Sequence, residues 1–174
     1  AFNLAEPPSG RSSLRVLEGP FDPRQGNYAV AGSADYQLGL KRRGFTSKLT
    51  AGSFNTQRLV LLWGPKDESE RTFGGAEIYR TDGFGQNRGA KRATAMAQYE
   101  GKIGKEGTYR VLATAYGSDY QSAGLLRNDD VTRGTKGFYD TYDPRQGGQS
   151  TRFSLAGDIH TKSGATRSFI CERA

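Results

Sequence analysis

Polar and apolar residues alternate along most of this chain, and a period of two is typical of half-buried β-strands. In the clearest segment, Ala93, Ala95, Ala97 and Tyr99 share one face, and the residues between them are mostly charged or polar. The pattern predicts an all-β chain of antiparallel strands. These are a short strand at 14–17, a strand within 28–40, and strands near 45–53, 58–64, 72–82, 91–103, 108–118, 150–161 and 166–171.

The connections between these predicted strands differ in length. Residues 66–71 form a charged turn, 104–107 form a tight turn, and 117–148 form a long irregular stretch rich in Gly, Asp, Arg and Tyr. Outer-membrane barrels have short turns at one end and longer loops at the other, whereas soluble sandwiches mix turn lengths at both ends. The connections therefore favour seven or so strands of a partial outer-membrane barrel.

The two faces of each predicted strand differ in composition. One carries small and aromatic residues, and the other carries Lys, Arg, Glu, Asp, Thr or Gln. A soluble sandwich prefers large aliphatic residues in its core, whereas a wide barrel directs its apolar face to lipid and its polar face to a wet lumen. Trp63, Tyr79 and Tyr116 fall near strand ends and are predicted to lie at the membrane interfaces.

Composition excludes two classes of protein. Only 34% of the 174 residues are hydrophobic and the mean hydropathy is −0.71, and no stretch approaches the roughly 20 apolar residues of a spanning helix. Nine Tyr and nine Phe argue against a disordered chain, because such residues are kept where they bury large areas. The 24 glycines suit a protein with many turns.

Neither the charge nor the reactive residues of this sequence predict nucleic-acid binding, metal binding or catalysis. The net charge is +7, but the densest basic run is Lys41–Arg43, so no nucleic-acid partner is expected. A lone Cys171 and a lone His160 form no disulfide and fit no common metal spacing. The carboxylate pairs Glu68/Glu70 and Asp129/Asp130 lie in charged turns, so we expect no enzyme, no metal site and no cofactor.

Four segments carry a resemblance to a known family. Residues 17–36 resemble the end of the plug domain of TonB-dependent outer-membrane receptors, with Gly19-Pro20, then Gly26-Asn27, then a stretch of small residues. Residues 52–58 look like the first barrel hairpin of that family. Residues 62–65 resemble a strand end of that barrel, and 79–87 resemble a stretch that leads into an outer loop.

This resemblance implies a division of the chain at residue 43. Residues 1–43 would be the C-terminal part of a plug, and 44–174 the first transmembrane strands of a Gram-negative outer-membrane barrel. The implied function is energised uptake of a scarce ligand such as a siderophore, vitamin or glycan. The implied partners are outer-membrane lipid, the remainder of the barrel and the TonB energy-transducing complex. We expect the chain to be a fragment that does not transport alone.

Candidate site residues follow from this interpretation. Gly19, Pro20, Gly26 and Gly32 are predicted to shape a plug turn, although ordinary turn glycines would look the same. His160 alternates with the polar residues and is predicted to be a solvated lumen side chain. The alternative function is a small, self-closing β-barrel module that binds a ligand. The long loop offers side chains that could contact a ligand or simply hold the loop in place: Arg127, Phe138, Tyr139 and Tyr142.

Overall fold

The computed structural model describes residues 13–19, 31–66, 68–104, 106–161 and 166–173. Within these ranges no helix is long and apolar enough to span a membrane. The elements in chain order are β1 (Ser13–Glu18), β2 (Gly32–Gln37), β3 (Gly44–Gly52), β4 (Thr56–Gly64), β5 (Phe73–Thr81), β6 (Ala90–Ile103), β7 (Gly107–Gln121), the short helix α1 (Asn128–Thr132), β8 (Gly147–Thr161) and β9 (Thr166–Arg173).

The strands form two antiparallel sheets. β1 and β2 pair as a hairpin, and β3 to β9 form a seven-stranded sheet in simple sequence order. Within the seven-stranded sheet each strand pairs with the next along the chain, in the antiparallel sense that the sequence predicts. The sheet does not close, and no pairing joins β3 to β9 among the described residues. The predicted all-β architecture of a partial barrel is confirmed.

Most predicted strand positions agree with the structure, and two differ. The predicted strand within 28–40 is β2 alone. Residues 28–30 lie outside the described ranges, and 38–40 are not in a strand. The long irregular stretch is shorter than predicted, because β7 continues to Gln121 and β8 begins at Gly147. The pairing of β7 with β8 continues from Gly117–Thr151 to Gln121–Gly147. These residues are mostly polar or glycine, so the sequence shows no alternation there that would predict a strand.

Antiparallel order places the connections at two opposite ends of the sheet. Residues 53–55, 82–89 and 122–146 lie at one end, here called the loop end. The β4–β5 and β6–β7 connections lie at the other, the turn end. The segment leading from β2 into β3 also contacts the turn end: the Leu40 N–H donates to the Glu70 carbonyl (2.8 Å), and Arg43 Nη1 donates to the Pro65 carbonyl (3.1 Å).

A conventional apolar core is missing from the described part of the chain. Phe73 is the buried hydrophobic residue there, at 8% exposure, whereas the buried polar residues are Thr72, Glu77, Gln98 and Thr141. A single twisted sheet with no second layer cannot cover its own apolar face. Most of the buried side chains in the described residues are therefore polar.

Candidate functional site

The strand registers sort the residues of the seven-stranded sheet onto two faces, because cross-strand partners share a face. The apolar face carries Phe45, Leu49, Leu59, Leu61, Trp63, Ala76, Ile78, Ala93, Ala95, Ala97, Tyr99, Tyr109, Val111, Ala113, Ala115, Phe153, Leu155, Ile159 and Phe169. The polar face carries Lys48, Arg58, Glu77, Arg92, Thr94, Gln98, Glu100, Lys102, Arg110, Arg152, Asp158 and His160.

Exposure is inverted between these faces. On the apolar face, Leu49 is 77% exposed and Ile78 is 59% exposed. On the polar face, Glu77 is 2% exposed and Gln98 is 4% exposed. In a water-soluble protein the charged face is the one that meets solvent. This sheet instead buries the carboxylate of Glu77 and exposes its apolar face, although other charged residues of the polar face are exposed: Lys48, Lys102, Arg152 and His160.

The buried carboxylate of Glu77 is held by two arginines. Its Oε2 accepts from Arg58 Nη2 at 2.8 Å, and its Oε1 accepts from Arg92 Nη2 at 2.6 Å. Both arginines lie opposite Tyr79, two residues along β5 from Glu77, so each reaches the carboxylate diagonally. The Arg92 guanidinium also lies 5.2 Å from the Tyr79 ring centroid. Burial of Glu77 is tolerable because both oxygens are paired.

A second polar network occupies the polar face near the turn end. Arg110 Nη2 lies 2.7 Å from Asp158 Oδ1, and His160 Nε2 lies 3.0 Å from Asp158 Oδ2. The prediction that His160 shares the polar face is confirmed. Glu100 accepts from Ser69 Oγ at 2.8 Å and pairs with Arg71 at 3.0 Å, which ties the β4–β5 connection to this face.

The apolar face forms a band of limited height. On β6 it runs from Ala93 to Ile103, about 33 Å along the strand at roughly 3.3 Å per residue. With the tilt of about 40° common in barrels, this projects to roughly 25 Å, the height of an outer-membrane apolar band. At the loop end the same face becomes polar in one cross-strand row: Gln57, Arg80, Lys91, Asp119 and Gln149.

Small side chains keep the centre of this band shallow. A trough of about 490 Å³ lies over β6 to β9, with Ala95, Ala97, Ala113 and Ala115 among its lining residues and Phe153 beside them. A packed soluble core would fill such a space with large aliphatic residues. The trough is lined chiefly by apolar-face residues, on the exposed side of the sheet, and Arg173 of β9, which lies opposite Phe153, is the one charged residue in its lining.

Two of the three predicted interfacial aromatic residues are on the wrong face for that role. Tyr79 lies opposite Arg58 and Arg92 on the polar face, and Tyr116 lies there opposite Thr94. Tyr116 is also within β7 because that strand continues to Gln121. Trp63 does lie on the apolar face, one residue before the end of β4, and is 52% exposed.

Hydrogen bonds join the three connections at the loop end to one another. Asn87 Nδ2 donates to the carbonyls of Ser122 (2.6 Å) and Gln146 (2.7 Å), at the two ends of the long loop. The Gln86 N–H donates to the Tyr139 carbonyl at 2.9 Å. The Asp82 N–H donates to the Phe54 carbonyl at 2.9 Å, so the short turn joins the same assembly.

The predicted ligand-contact residues of the long loop form two groups. Phe138 and Tyr139 pack edge to face at 5.1 Å, and Phe84 from the 82–89 loop packs edge to face on Tyr139 at 6.2 Å. The Arg127 N–H donates to the Tyr142 hydroxyl at 3.3 Å. Sequence reasoning missed Phe84, although an aromatic residue between two glycines in a loop was a usable signal.

Tyr142 also links this loop to its helix. Its hydroxyl donates to Asp130, which with burial raises the pKa of the phenol above its ordinary value of 10.0. Asp129 pairs with Arg127 at 2.7 Å. These contacts give the acidic pair structural roles, and within the described ranges no group of three or more His, Cys, Asp or Glu residues could hold a metal ion.

Backbone geometry explains two of the predicted turn glycines. Gly32 has φ +150°, and a Cβ there would lie 2.5 Å from the Leu17 carbonyl oxygen. Gly19 has φ +80°, and its N–H donates to the Ala31 carbonyl at 2.8 Å. Both positions favour glycine because positive φ strains other residues. Pro20 and Gly26 lie outside the described residues.

Comparisons with known proteins identify no relative: no family model, no curated protein and no solved structure matches this chain. The inverted faces and the joined loops are therefore the observations from which function is inferred.

Proposed function

We propose that this sheet is part of an outer-membrane β-barrel receptor of the TonB-dependent kind, with its apolar face in lipid and its polar face around water. The observation that carries the proposal is the inverted exposure of the two faces. Apolar surface in water costs roughly 25 cal/mol per Å², so a large exposed apolar face needs a cover. The hydrocarbon of a bilayer would provide this cover, because it matches both the apolar composition of the face and the projected height of the band, roughly 25 Å.

The edges of the band support lipid as that cover. Above Ile78 and Ala93, the same face carries Arg80 and Lys91, which are cross-strand partners. A bilayer imposes such a boundary because charge is tolerated at the headgroups and is costly in hydrocarbon.

The open sheet supports assembly with further strands. β3 and β9 each have one edge without a partner strand among the described residues. Unpaired backbone groups cost several kcal/mol each in hydrocarbon, so membrane strands occur in closed barrels. We infer that the remainder of the barrel pairs with these edges, and that uptake belongs to the assembled receptor. The alternative, a self-closing binding module, would need pairing between β3 and β9.

The arrangement of the two ends supports the receptor assignment. The hairpin β1–β2 is followed by a segment that reaches the sheet at the turn end, and Gln98 Nε2 on the polar face donates toward the Leu38 carbonyl at 3.5 Å. A plug that continues into a barrel would enter in this way. The joined loops at the opposite end would face outward and meet a scarce ligand, and the energy-transducing complex would act from the turn end.

Fluorescence quenching by lipid tests this proposal. In a C171S background, Ala113→Cys on the apolar face and Ser154→Cys on the polar face carry the same small fluorophore, and the whole chain is reconstituted in vesicles. Ala113 and Ser154 lie in adjacent cross-strand rows, so depth is matched. We expect doxyl groups on the acyl chains to quench the label at 113 several-fold more than the label at 154.

Two other outcomes would count against the proposal. If a water-soluble quencher acts equally at both positions in a monomer that is stable without detergent or lipid, the membrane proposal is wrong. If lipid quenches the label at 154 more than the label at 113, the two faces are assigned the wrong way round.

A further inference from the structure

We propose that Arg173 and the trough on the apolar face form a binding site for an anionic phospholipid, with the lipid phosphate on Arg173 and an acyl chain in the trough. The inference rests on the proposed function, because it needs this face to lie in lipid. The observation that carries it is a charged residue on an apolar face. Arg173 lies opposite Phe153, and both residues line the trough.

Arg173 has no acidic partner in the part of the chain that the structure describes. Its side chain is exposed, and no hydrogen bond or ion pair with a described residue engages the guanidinium. Asp119 is the sole acidic residue that β3 to β9 place on this face, and it lies opposite Lys91, two cross-strand rows nearer the loop end. A charge on a lipid-facing surface is costly unless it reaches the headgroups or meets an opposite charge.

The boundary of the apolar band reaches Arg173. Toward the loop end, the first polar residue of this face is Lys91 on β6, Thr151 on β8 and Arg173 on β9. Arg173 shares a cross-strand row with Ala95, so the boundary moves by four residues between β6 and β9. At a strand tilt of about 40°, four residues rise by roughly 10 Å, and three strand spacings shift a row by roughly 9 Å. In the proposed orientation the boundary therefore keeps one height, and Arg173 lies at the headgroups.

The same slope leads the trough from the headgroups into the band. On β9 its lining residues are Cys171 and Arg173, and on β6 they include Ala95 and Ala97. Because the row of Arg173 lies roughly 9 Å deeper at β6 than at β9, a chain in the trough descends toward the middle of the band. A phospholipid has this form, with charge at one end and hydrocarbon below it.

Aromatic rings stand along the turn-end side of the trough. The next row of the same face carries Tyr99 on β6 and Phe169 on β9. A Cβ at Gly157 would collide with the Phe169 ring, so this ring lies flat over the strand beside it. The Tyr109 ring covers Gly101 in the same way and lies 5.9 Å from the Tyr99 ring. The space of about 490 Å³ between these rings and Arg173 is therefore bounded toward the turn end.

The chemistry of the guanidinium defines the headgroup. Its planar fork donates two parallel hydrogen bonds to a phosphate, and such charge-assisted bonds are stronger than neutral ones. A zwitterionic headgroup would bring a second positive charge beside Arg173, whereas an anionic headgroup brings none. The site should therefore prefer a phospholipid with a net negative charge.

Tryptophan quenching by brominated lipids measures this preference. The whole chain is reconstituted in vesicles of phosphatidylcholine and phosphatidylglycerol, with bromine on the acyl chains of one lipid or the other. Wild type reports through its single tryptophan, Trp63 on β4, which lies outside the trough, and W63F/F153W reports from beside Arg173. We expect the preference for phosphatidylglycerol to be about fivefold higher at 153 than at 63, as one arginine near anionic lipid provides.

Three further variants in the W63F/F153W chain complete the test. R173Q should reduce the preference at 153 to the value at 63. K91Q removes the boundary cation of β6, which is on the same face outside the trough, and should leave the preference unchanged. A113F fills the trough while keeping Arg173 and should lower the preference about threefold.

Equal preferences at 153 and 63, or a preference at 153 that R173Q does not lower, would overturn the site. A loss with K91Q as large as that with R173Q would also overturn it, because it would reflect the charge of the whole boundary. If A113F has no effect, the trough is not part of the site. Failure of the membrane proposal looks different, because then neither brominated lipid quenches at 153. Equal quenching by both lipids would keep the proposed function and remove the lipid site.

Discussion

Glu77 and Ile78 are consecutive residues of β5, yet the carboxylate is 2% exposed and the isoleucine is 59% exposed. Alternation along a strand separates them to opposite faces. Water would favour the reverse arrangement, because burying a carboxylate is costly and burying isoleucine is favourable by about 1.5–3 kcal/mol. The pair shows the inversion of the two faces at the centre of β5.

Removing the Glu77 carboxylate should destabilise the sheet. In Glu77→Gln, Arg58 and Arg92 lose their shared partner and face each other with like charge. Breaking a buried pair costs about 3–5 kcal/mol, and the partial exposure of both arginines places this case near 3 kcal/mol. Urea unfolding of the reconstituted chain measures the change. The control is Glu100→Gln, whose more exposed pair with Arg71 should contribute less than about 1 kcal/mol.

A charge in the apolar band should be destabilising in lipid. We expect Ala97→Lys to lower the free energy of unfolding in vesicles by about 2–4 kcal/mol, because the side chain must leave water near the middle of the band. Thr151→Lys lies on the same face toward its loop-end edge and should cost about 0–1 kcal/mol. Equal costs for the two substitutions would contradict the depth that we assign.

The amide of Asn87 should hold the long loop closed at its base. Asn87→Gly removes the two hydrogen bonds to Ser122 and Gln146 while permitting the φ of +53°. Proteolysis within 122–146 should become several-fold faster, consistent with about 1–2 kcal/mol for lost bonds. Asn55→Gly, at a similar φ of +55°, is the matched control and should leave cleavage of the long loop unchanged.

The Tyr142–Asp130 contact should depend on pH. Its hydrogen bond favours the neutral phenol and raises the pKa of Tyr142. The contribution is therefore complete below the ordinary value of 10.0 and is lost as the pH rises through the raised pKa. The difference in phenolate absorbance between wild type and Tyr142→Phe should show a titration above pH 10.0. A transition below that pH would contradict the contact.

Glycine at position 32 should be required by the β1–β2 hairpin. Gly32→Ala places a Cβ against the Leu17 carbonyl, and strain of this kind costs about 1–3 kcal/mol. Faster hydrogen exchange in β1 and β2 is the expected result. Gly117→Ala is the control, because nothing lies within 4 Å of a Cβ there. Equal effects would mean that the close approach at Gly32 is unimportant.

The strands were predictable because period-two alternation is a local property. The strand ends that flank the long loop were not predictable in this way. In β7 the run Gly117–Gln121 has no clear alternation, and its pairing with β8 extends the strand. The faces on which Tyr79 and Tyr116 lie also depend on the cross-strand register. A position near a strand end does not show which face a side chain occupies.

The candidate site was less predictable than the fold. Sequence placed Phe138, Tyr139 and Tyr142 in one long loop, but only the folded chain brings Phe84 onto Tyr139 and Asn87 onto both ends of that loop. Contacts between residues 35 to 59 positions apart leave no periodic signal in the sequence.

Spin-label accessibility along β6 tests the central claim most directly. Single labels from 91 to 103, on the whole chain in vesicles, are each measured with oxygen, which partitions into lipid, and with a polar nickel chelate. We predict a period of two, with oxygen maxima at Ala93, Ala95, Ala97 and Tyr99 and nickel maxima between them. Nickel maxima at those four positions, or no oscillation, would contradict an apolar face in lipid.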